Sequence, residues 1–469
     1  MKKFLTILLS IVVIISFSAC SDKSNSVNST NNAINTSDNT GNKSNSIKHN
    51  ENLEKIAVEF VNELSKGNFE SAYNKFGSSF KKAITLKKLK ETWATASTQV
   101  GEVNNILGTR TEHDDKFDKV FVTCKFDKTT LDIQVTFDKD KNIVGFFFVK
   151  TKIIPKSNKN NIDDESKNIF YEKEVTIGAG EWALPGILTI PKGKGNFPAV
   201  VLVHGSGPND RDETIGPNKP FRDLAHGLAS KGIVVLRYDK RTLVYGKKML
   251  KLKKGITVQT ETIDDALLAI NLLRNRKEVD KSKIFVLGHS LGGSLLPRIE
   301  QQDSNIAGLI CLAGSARPLE DFFVEQYTYL FSLDGKITDK EKDILEQTKK
   351  DVEKIKSLDV NNYDTNEILI NVPAGYWVDL KQHNIAEIVK KSKKPMLILQ
   401  GERDYQVTMK DFQLWKKLLS NRKNVEFKSY KKLNHLFMEG TGKSSPNEYY
   451  IENHIPQYVI DDISNWIKK

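Results

Sequence analysis

Lys283-Ile284-Phe285-Val286-Leu287-Gly288-His289-Ser290-Leu291-Gly292-Gly293 is the stretch on which the reading of this chain turns. Its first five residues form a short run of apolar, β-branched and aromatic character, which reads as a buried strand. Gly288 to Gly292 then fit the pattern G-x-S-x-G, and an apolar helical stretch follows. A serine flanked at two residues on each side by glycine suits a sharp strand-to-helix turn, because strand and helix can approach there without Cβ clashes. Such a turn would present the Ser290 hydroxyl at the carboxyl edge of a sheet. A glycine-rich turn alone would satisfy the pentapeptide, so the setting between strand and helix gives it its weight.

Upstream, Pro198 to Val203 reads as a second buried strand, and it ends in His204-Gly205-Ser206-Gly207. A small-residue turn at a strand end can face its backbone amides toward a negatively charged oxygen, so the amides of Ser206 and Leu291 are the candidate oxyanion donors. His204 and His289 are read as structural residues beneath their turns. Downstream, Pro395 to Gln400 is again a buried strand, followed by Gly401-Glu402-Arg403-Asp404, and Val425 to Tyr430 leads into Leu433-Asn434-His435. An acid just past the former strand and a histidine just past the latter complete a serine-histidine-acid set. Ser290 would attack, His435 would carry the proton, and Asp404 would orient the imidazole and stabilise its charged form. Glu402 and Asp411 are rival acids. Asp404 is preferred, because it lies in the loop just beyond the strand while Asp411 falls within the next helical run.

Around these motifs strands alternate with helices: Glu172 to Ile177, Leu184 to Ile190, Ile233 to Tyr238 and Ala307 to Leu312 read as strands, and Phe221 to Ser230, Thr262 to Arg274 and Met409 to Leu419 as helices. That rhythm predicts an α/β fold with a doubly wound, mostly parallel sheet. It breaks at about 315–394, a charged helical and aromatic stretch too long for a loop, which reads as a helical cap insertion. The order Ser290, Asp404, His435, the two glycine-rich turns and Arg237-Tyr238-Asp239-Lys240-Arg241 together make residues 169–469 resemble a bacterial α/β-hydrolase of the carboxylesterase type. Asp239-Lys240-Arg241 departs from the D-x-R-G loop common in that superfamily at Thr242, so the segment is read as an ion-paired structural loop. The resemblance implies hydrolysis of a small-molecule ester through an acyl-enzyme, with no organic cofactor and no metal. The cap aromatics Phe322, Phe323, Tyr327, Tyr329, Phe331, Tyr376 and Trp377 either line an acyl or alcohol pocket or form the cap's own core.

The other end of the chain is of a different kind. Met1-Lys2-Lys3 and the uncharged, mostly apolar Phe4 to Phe17 have the layout of an export signal, residues 1–19. Ser18-Ala19-Cys20 resembles the lipobox of bacterial lipoproteins, with Phe17 where leucine is usual, which implies lipidation at Cys20 and an anchor on the extracytoplasmic face of the cell membrane. An ordinary secreted protein is the alternative. Residues 20–50 are nearly all polar and read as a disordered tether. Within 51–150, helical periodicity over Leu53 to Leu64 and again from Phe69 to Trp93 gives way to strand-like runs at Lys119 to Phe126, Thr130 to Phe137 and Ile143 to Val149. This order resembles the small α+β, cone-like nuclear-transport-factor-like domains of unknown function. Residues 151–168 read as a linker.

With 469 residues, 39% hydrophobic and 28% charged, the chain has room for two or three domains and is no lone binding module. Its net charge of +12 would suit nucleic acid, yet only eleven of the 71 basic residues are arginine and they are scattered, so no nucleic-acid partner is expected. Cys124 and Cys311 sit in apolar strand-like runs, against a disulfide framework. The eight histidines show no metal-ligand spacing. An exported serine peptidase or amidase of the same fold is the main alternative function, and a non-catalytic surface-binding lipoprotein a further one. Dienelactone hydrolysis is disfavoured, since it uses cysteine where this chain has Ser290.

Overall fold

The computed structural model describes residues 41–113, 117–127, 129–151, 169–250, 252, 255–365 and 367–469. The export signal, Cys20 and the tether up to residue 40 lie outside them. The chain forms two compact units.

The N-terminal unit begins with helices α1 (Gly41–Ser65), α2 (Phe69–Asn74), α3 (Ser78–Ala83) and α4 (Leu86–Val100). Leu53, Ala57, Phe60, Val61 and Leu64 of α1 are fully buried, as their spacing requires. This helix starts at Gly41, so residues 41–50, expected within the disordered stretch, are helical. The expected single helical stretch after Phe69 is three helices, and α4 restarts at Thr85, whose hydroxyl accepts the Lys88 N–H at 3.1 Å. Four antiparallel strands follow in the order β1 (Val103–His113), β2 (Asp118–Phe126), β3 (Thr130–Phe137) and β4 (Ile143–Lys150). The expectation omitted β1. Its alternation is blurred where the ladder shifts register, between Val103 and Asn105 and between Ile106 and Gly108. Pro446–Glu452, expected within the hydrolase region, belongs to this unit: Ile451 enters its core and bridges Phe148, and the Glu452 N–H donates to the Phe148 carbonyl at 2.7 Å.

The second unit is built on an eight-stranded sheet. In chain order its first members are β5 (Phe170–Ile177), β6 (Leu184–Pro191), β7 (Phe197–Val203), β8 (Val234–Tyr238), β9 (Val279–His289) and β10 (Gly308–Leu312). After the short hairpin β11 (Ile368–Leu369) and β12 (Val372–Pro373) come β13 (Met396–Gly401) and β14 (Val425–Tyr430). The spatial order is β14-β13-β10-β9-β7-β8-β6-β5; only β6 runs against its neighbours. Alternate residues of β7 enter opposite cores, Val201 and Val203 one and Val200 and Leu202 the other, which is why the strand is an unbroken apolar run. Helices α5 (Pro220–Ser230) and α14 (Gln457–Ile467) cover one face. The other is covered by α7 (Asp264–Arg274), α8 (Leu291–Gln302) and α13 (Met409–Leu418), while α6 (Arg241–Met249) follows β8.

Between β10 and β13 the chain forms the cap: α9 (Asp321–Ser332), α10 (Asp339–Ser357), the small hairpin, α11 (Ala374–Gln382) and α12 (Ile385–Val389). Thr338 and Glu341 close a reciprocal capping box on α10. Phe323 and Trp377 pack with Val352 and Ile355 in the cap's own core. Among the described residues no helix is long and apolar enough to cross a membrane.

Candidate active site

Ser290 stands between β9 and α8 with φ 53° and ψ −118°, a conformation a side-chain-bearing residue holds only under strain. Its N–H donates to the Leu312 carbonyl at 2.9 Å, and the Ser294 N–H returns to the Ser290 carbonyl at 3.0 Å. The flanking glycines have a steric reason. A Cβ on Gly288 would lie 2.3 Å from the Gly292 carbonyl carbon, and one on Gly292 would lie 2.2 Å from the Val203 oxygen. Helix, strand and the end of β7 thus touch backbone to backbone.

His435, buried in the loop after β14, holds its Nδ1 2.7 Å from Oδ2 of Asp404, which is buried just past β13. The carboxylate is fastened on every side: its Oδ1 accepts the N–H groups of Gln406 at 2.8 Å and Val407 at 3.0 Å, and Gln400 Nε2 donates to its Oδ2 at 3.1 Å. The rival acids are occupied elsewhere. Glu402 is exposed and accepts the Ser429 hydroxyl, while Asp411 is buried against Arg317 and Ser315 and caps α13.

Ser206, Ser290 and Leu291 line one pocket of about 330 Å³, open mouth included. Phe322 and Leu319 supply apolar wall from the cap side, and Gln406 and Val407 complete it from the loop after β13. Of the cap aromatics, therefore, Phe322 faces the pocket, whereas Phe323 and Trp377 are cap core.

The two histidines read as structural lie beside the same turns, and one of them meets a group that the sequence did not single out. Glu213, buried at φ 50°, accepts the Gly205 N–H on Oε1 at 2.7 Å and sets Oε2 2.9 Å from His289 Nδ1. His289 Nε2 in turn donates to the His435 carbonyl at 2.9 Å. Burial drives the two ionisable groups toward neutrality, but their mutual attraction overrides it: Glu213 is held below the usual carboxylate range and His289 above the usual histidine value. His204 is different. Burial, with Lys240 nearby, lowers it to about 4, and its neutral ring donates to the Asp210 carbonyl and packs on Phe221 and Tyr238. Asp239, Lys240 and Arg241 are all ion-paired, with Arg211, Glu261 and Asp265. Cys124 and Cys311 are buried and unbridged, and burial pushes both thiols up to about 12. No cluster of three or more metal-ligating side chains occurs among the described residues.

A doubly wound sheet with a strained serine turn and a buried histidine-carboxylate pair at its carboxyl edge defines an α/β-hydrolase. Residues 198–442 match the family described as serine aminopeptidase, S33, and the chain belongs to that family. A relative, Esterase EstD of Thermotoga maritima, is 41% identical over 413 residues, 88% of this chain and 95% of the relative. Residues 57–146 match a family described as a protein of unknown function, DUF3887. Among solved structures, a Pyrococcus furiosus esterase is 17% identical over 67% of this chain and 96% of its own, with a TM-score of 0.41. A Mycobacterium tuberculosis puromycin-hydrolyzing peptidase is 12% identical over 78% and 48%, with a TM-score of 0.42.

Proposed function

We propose that the chain hydrolyses carboxylic esters of small molecules through an acyl-enzyme. Ser290 attacks the ester carbonyl, and His435 takes the serine proton through Nε2, since its Nδ1–H is given to Asp404. The amides of Leu291 and Ser206 receive the negative oxygen of the tetrahedral intermediate. Collapse expels the alcohol, protonated by His435, and water repeats the sequence to release the acid. The observation that carries this reading is the 2.7 Å contact between buried His435 and buried Asp404, whose backbone partners Gln406 and Val407 share a pocket wall with Ser290. The Gly205 N–H is already bound by Glu213, and Ser206 lies on the pocket wall, which supports Ser206 as the donor on that turn.

The test is Ser290→Ala, which should reduce kcat on a short-chain nitrophenyl ester roughly 10⁶-fold while the protein stays folded. Retained turnover would exclude the mechanism. The family's description as an aminopeptidase keeps a second reading in view, and turnover of an aminoacyl anilide exceeding that of the ester would favour it. For location, Cys20 supports a lipid-anchored protein on the extracytoplasmic face. Metabolic labelling with a fatty-acid analogue should give a signal that Cys20→Ala abolishes, and an unlabelled wild type would overturn the anchor.

A further inference from the structure

The peptide group joining Gly205 to Ser206 is gripped by a buried ammonium. Lys240, just past β8 and 1% exposed, donates from Nζ to the Gly205 carbonyl at 2.7 Å. Asn209 Nδ2 reaches the same oxygen at 3.3 Å. The counter-ion is Glu261, on a π-helical turn leading into α7, with Oε1 3.4 Å from the ammonium and 3.2 Å from the Thr242 hydroxyl. Its other oxygen accepts the hydroxyl of Tyr376, on cap helix α11, at 3.0 Å. Glu261 and Tyr376 are buried as well.

An ammonium taken out of water is costly unless it is paired and hydrogen-bonded. This one makes its shortest bond to a backbone carbonyl rather than to the carboxylate. Peptide planarity explains what such a bond does. In a trans peptide the C=O and the following N–H point in opposite directions within one plane, so a donor fixed on the Gly205 oxygen also fixes where the Ser206 N–H points. Drawing electron density toward that oxygen further strengthens the N–H as a donor. We infer that Lys240 is a positioning residue of the oxyanion hole, orienting and polarising the Ser206 amide for the tetrahedral intermediate, with Glu261 as its counter-ion and Tyr376 of the cap holding Glu261. The inference rests on the proposed roles of Ser290 and Ser206.

The test replaces both charges together, Lys240→Met with Glu261→Gln, so that neither is left buried alone. Two quantities are read beside kcat: KM, and the affinity for a trifluoromethyl ketone that adds reversibly to the nucleophile and places an oxyanion in the hole. A polarising grip predicts a roughly tenfold to hundredfold fall in kcat, a matching loss of ketone affinity and KM within about twofold. Unchanged ketone affinity, or a loss confined to KM or stability, would overturn it. Should that pair not fold, Lys240→Gln with Glu261→Gln keeps a neutral donor for the Gly205 oxygen. It is read the same way, with a loss of about threefold to tenfold expected and no loss overturning the role. Ser290→Ala separates the two levels. If it stays active, the proposed mechanism and the role of Lys240 fall together; if it is inactive and the paired variant keeps its ketone affinity, Lys240 alone is excluded.

Discussion

At the elbow, Gly288, Gly292 and Gly293 bring β9, α8 and the end of β7 together by carrying no side chains, whereas the turn at 204–207 on the facing wall is held by side chains that arrive from elsewhere. Glu213 takes the Gly205 N–H and Lys240 takes its carbonyl, and each is paired in turn, Glu213 with His289 and Lys240 with Glu261. One turn is therefore specified by excluded volume and the other by buried electrostatics. The two respond to different perturbations: added volume breaks the first, and loss or gain of a charge disturbs the second.

After the nucleophile, the largest effect predicted lies on the acid that orients the base. Asp404→Asn should lower kcat about 10⁴-fold with folding preserved, because an amide favours the wrong imidazole tautomer and cannot stabilise the charged ring. Steady-state kinetics with a melting curve check it. An Asn variant of near-normal activity would mean that His435 is oriented by something other than its 2.7 Å partner.

A middle-sized effect tests the electrostatic wall. His204 has a folded-state value of about 4, below the ordinary 6.5, so between those limits the unfolded chain binds more protons than the native one. Stability contributed by the neutral ring is therefore present above pH 6.5 and is lost as pH falls toward 4. His204→Gln keeps a donor for the Asp210 carbonyl but removes the titration. On going from pH 7.5 to pH 4, wild type should lose about 3 kcal/mol more than the variant, as read by urea unfolding. Glu213 is coupled to His204 by charge, so the difference between the two profiles reads both groups together. Parallel pH profiles would show that His204 is not protected from protonation.

The same contrast explains what could be read from sequence. The elbow, the strands feeding the site and the positions of Asp404 and His435 were legible because their signals are local: glycine spacing, short apolar runs, an acid or histidine a few residues past a strand. The partners of Gly205 were not. Glu213 looks like any member of the charged run Asp210-Arg211-Asp212-Glu213, Lys240 meets Glu261 across 21 residues of chain, and Glu261 meets Tyr376 only once the cap is folded onto the sheet. A buried charge carries no periodicity. The omission of β1 has a related cause, since Asn104, Asn105 and Gly108 at its bulges conceal the alternation that betrayed β2, β3 and β4.

The smallest effect is the control that gives the others their meaning. Glu402 lies two residues before Asp404 and just past the same strand, so sequence alone leaves it a plausible partner for His435. Its N–H donates to the Tyr430 carbonyl and its carboxylate accepts the Ser429 hydroxyl at 2.8 Å, on an exposed surface where loss of one charge is well tolerated. Glu402→Gln should keep kcat/KM within about twofold and stability within about 0.5 kcal/mol. If it were instead the crippling change while Asp404→Asn stayed active, the bonds from Gln406 and Val407 to Asp404 would be only a loop fastening. The acid would then belong to Glu402, and the excluded-volume elbow would survive that reassignment unchanged, because nothing that holds Ser290 at its positive φ depends on which carboxylate orients His435.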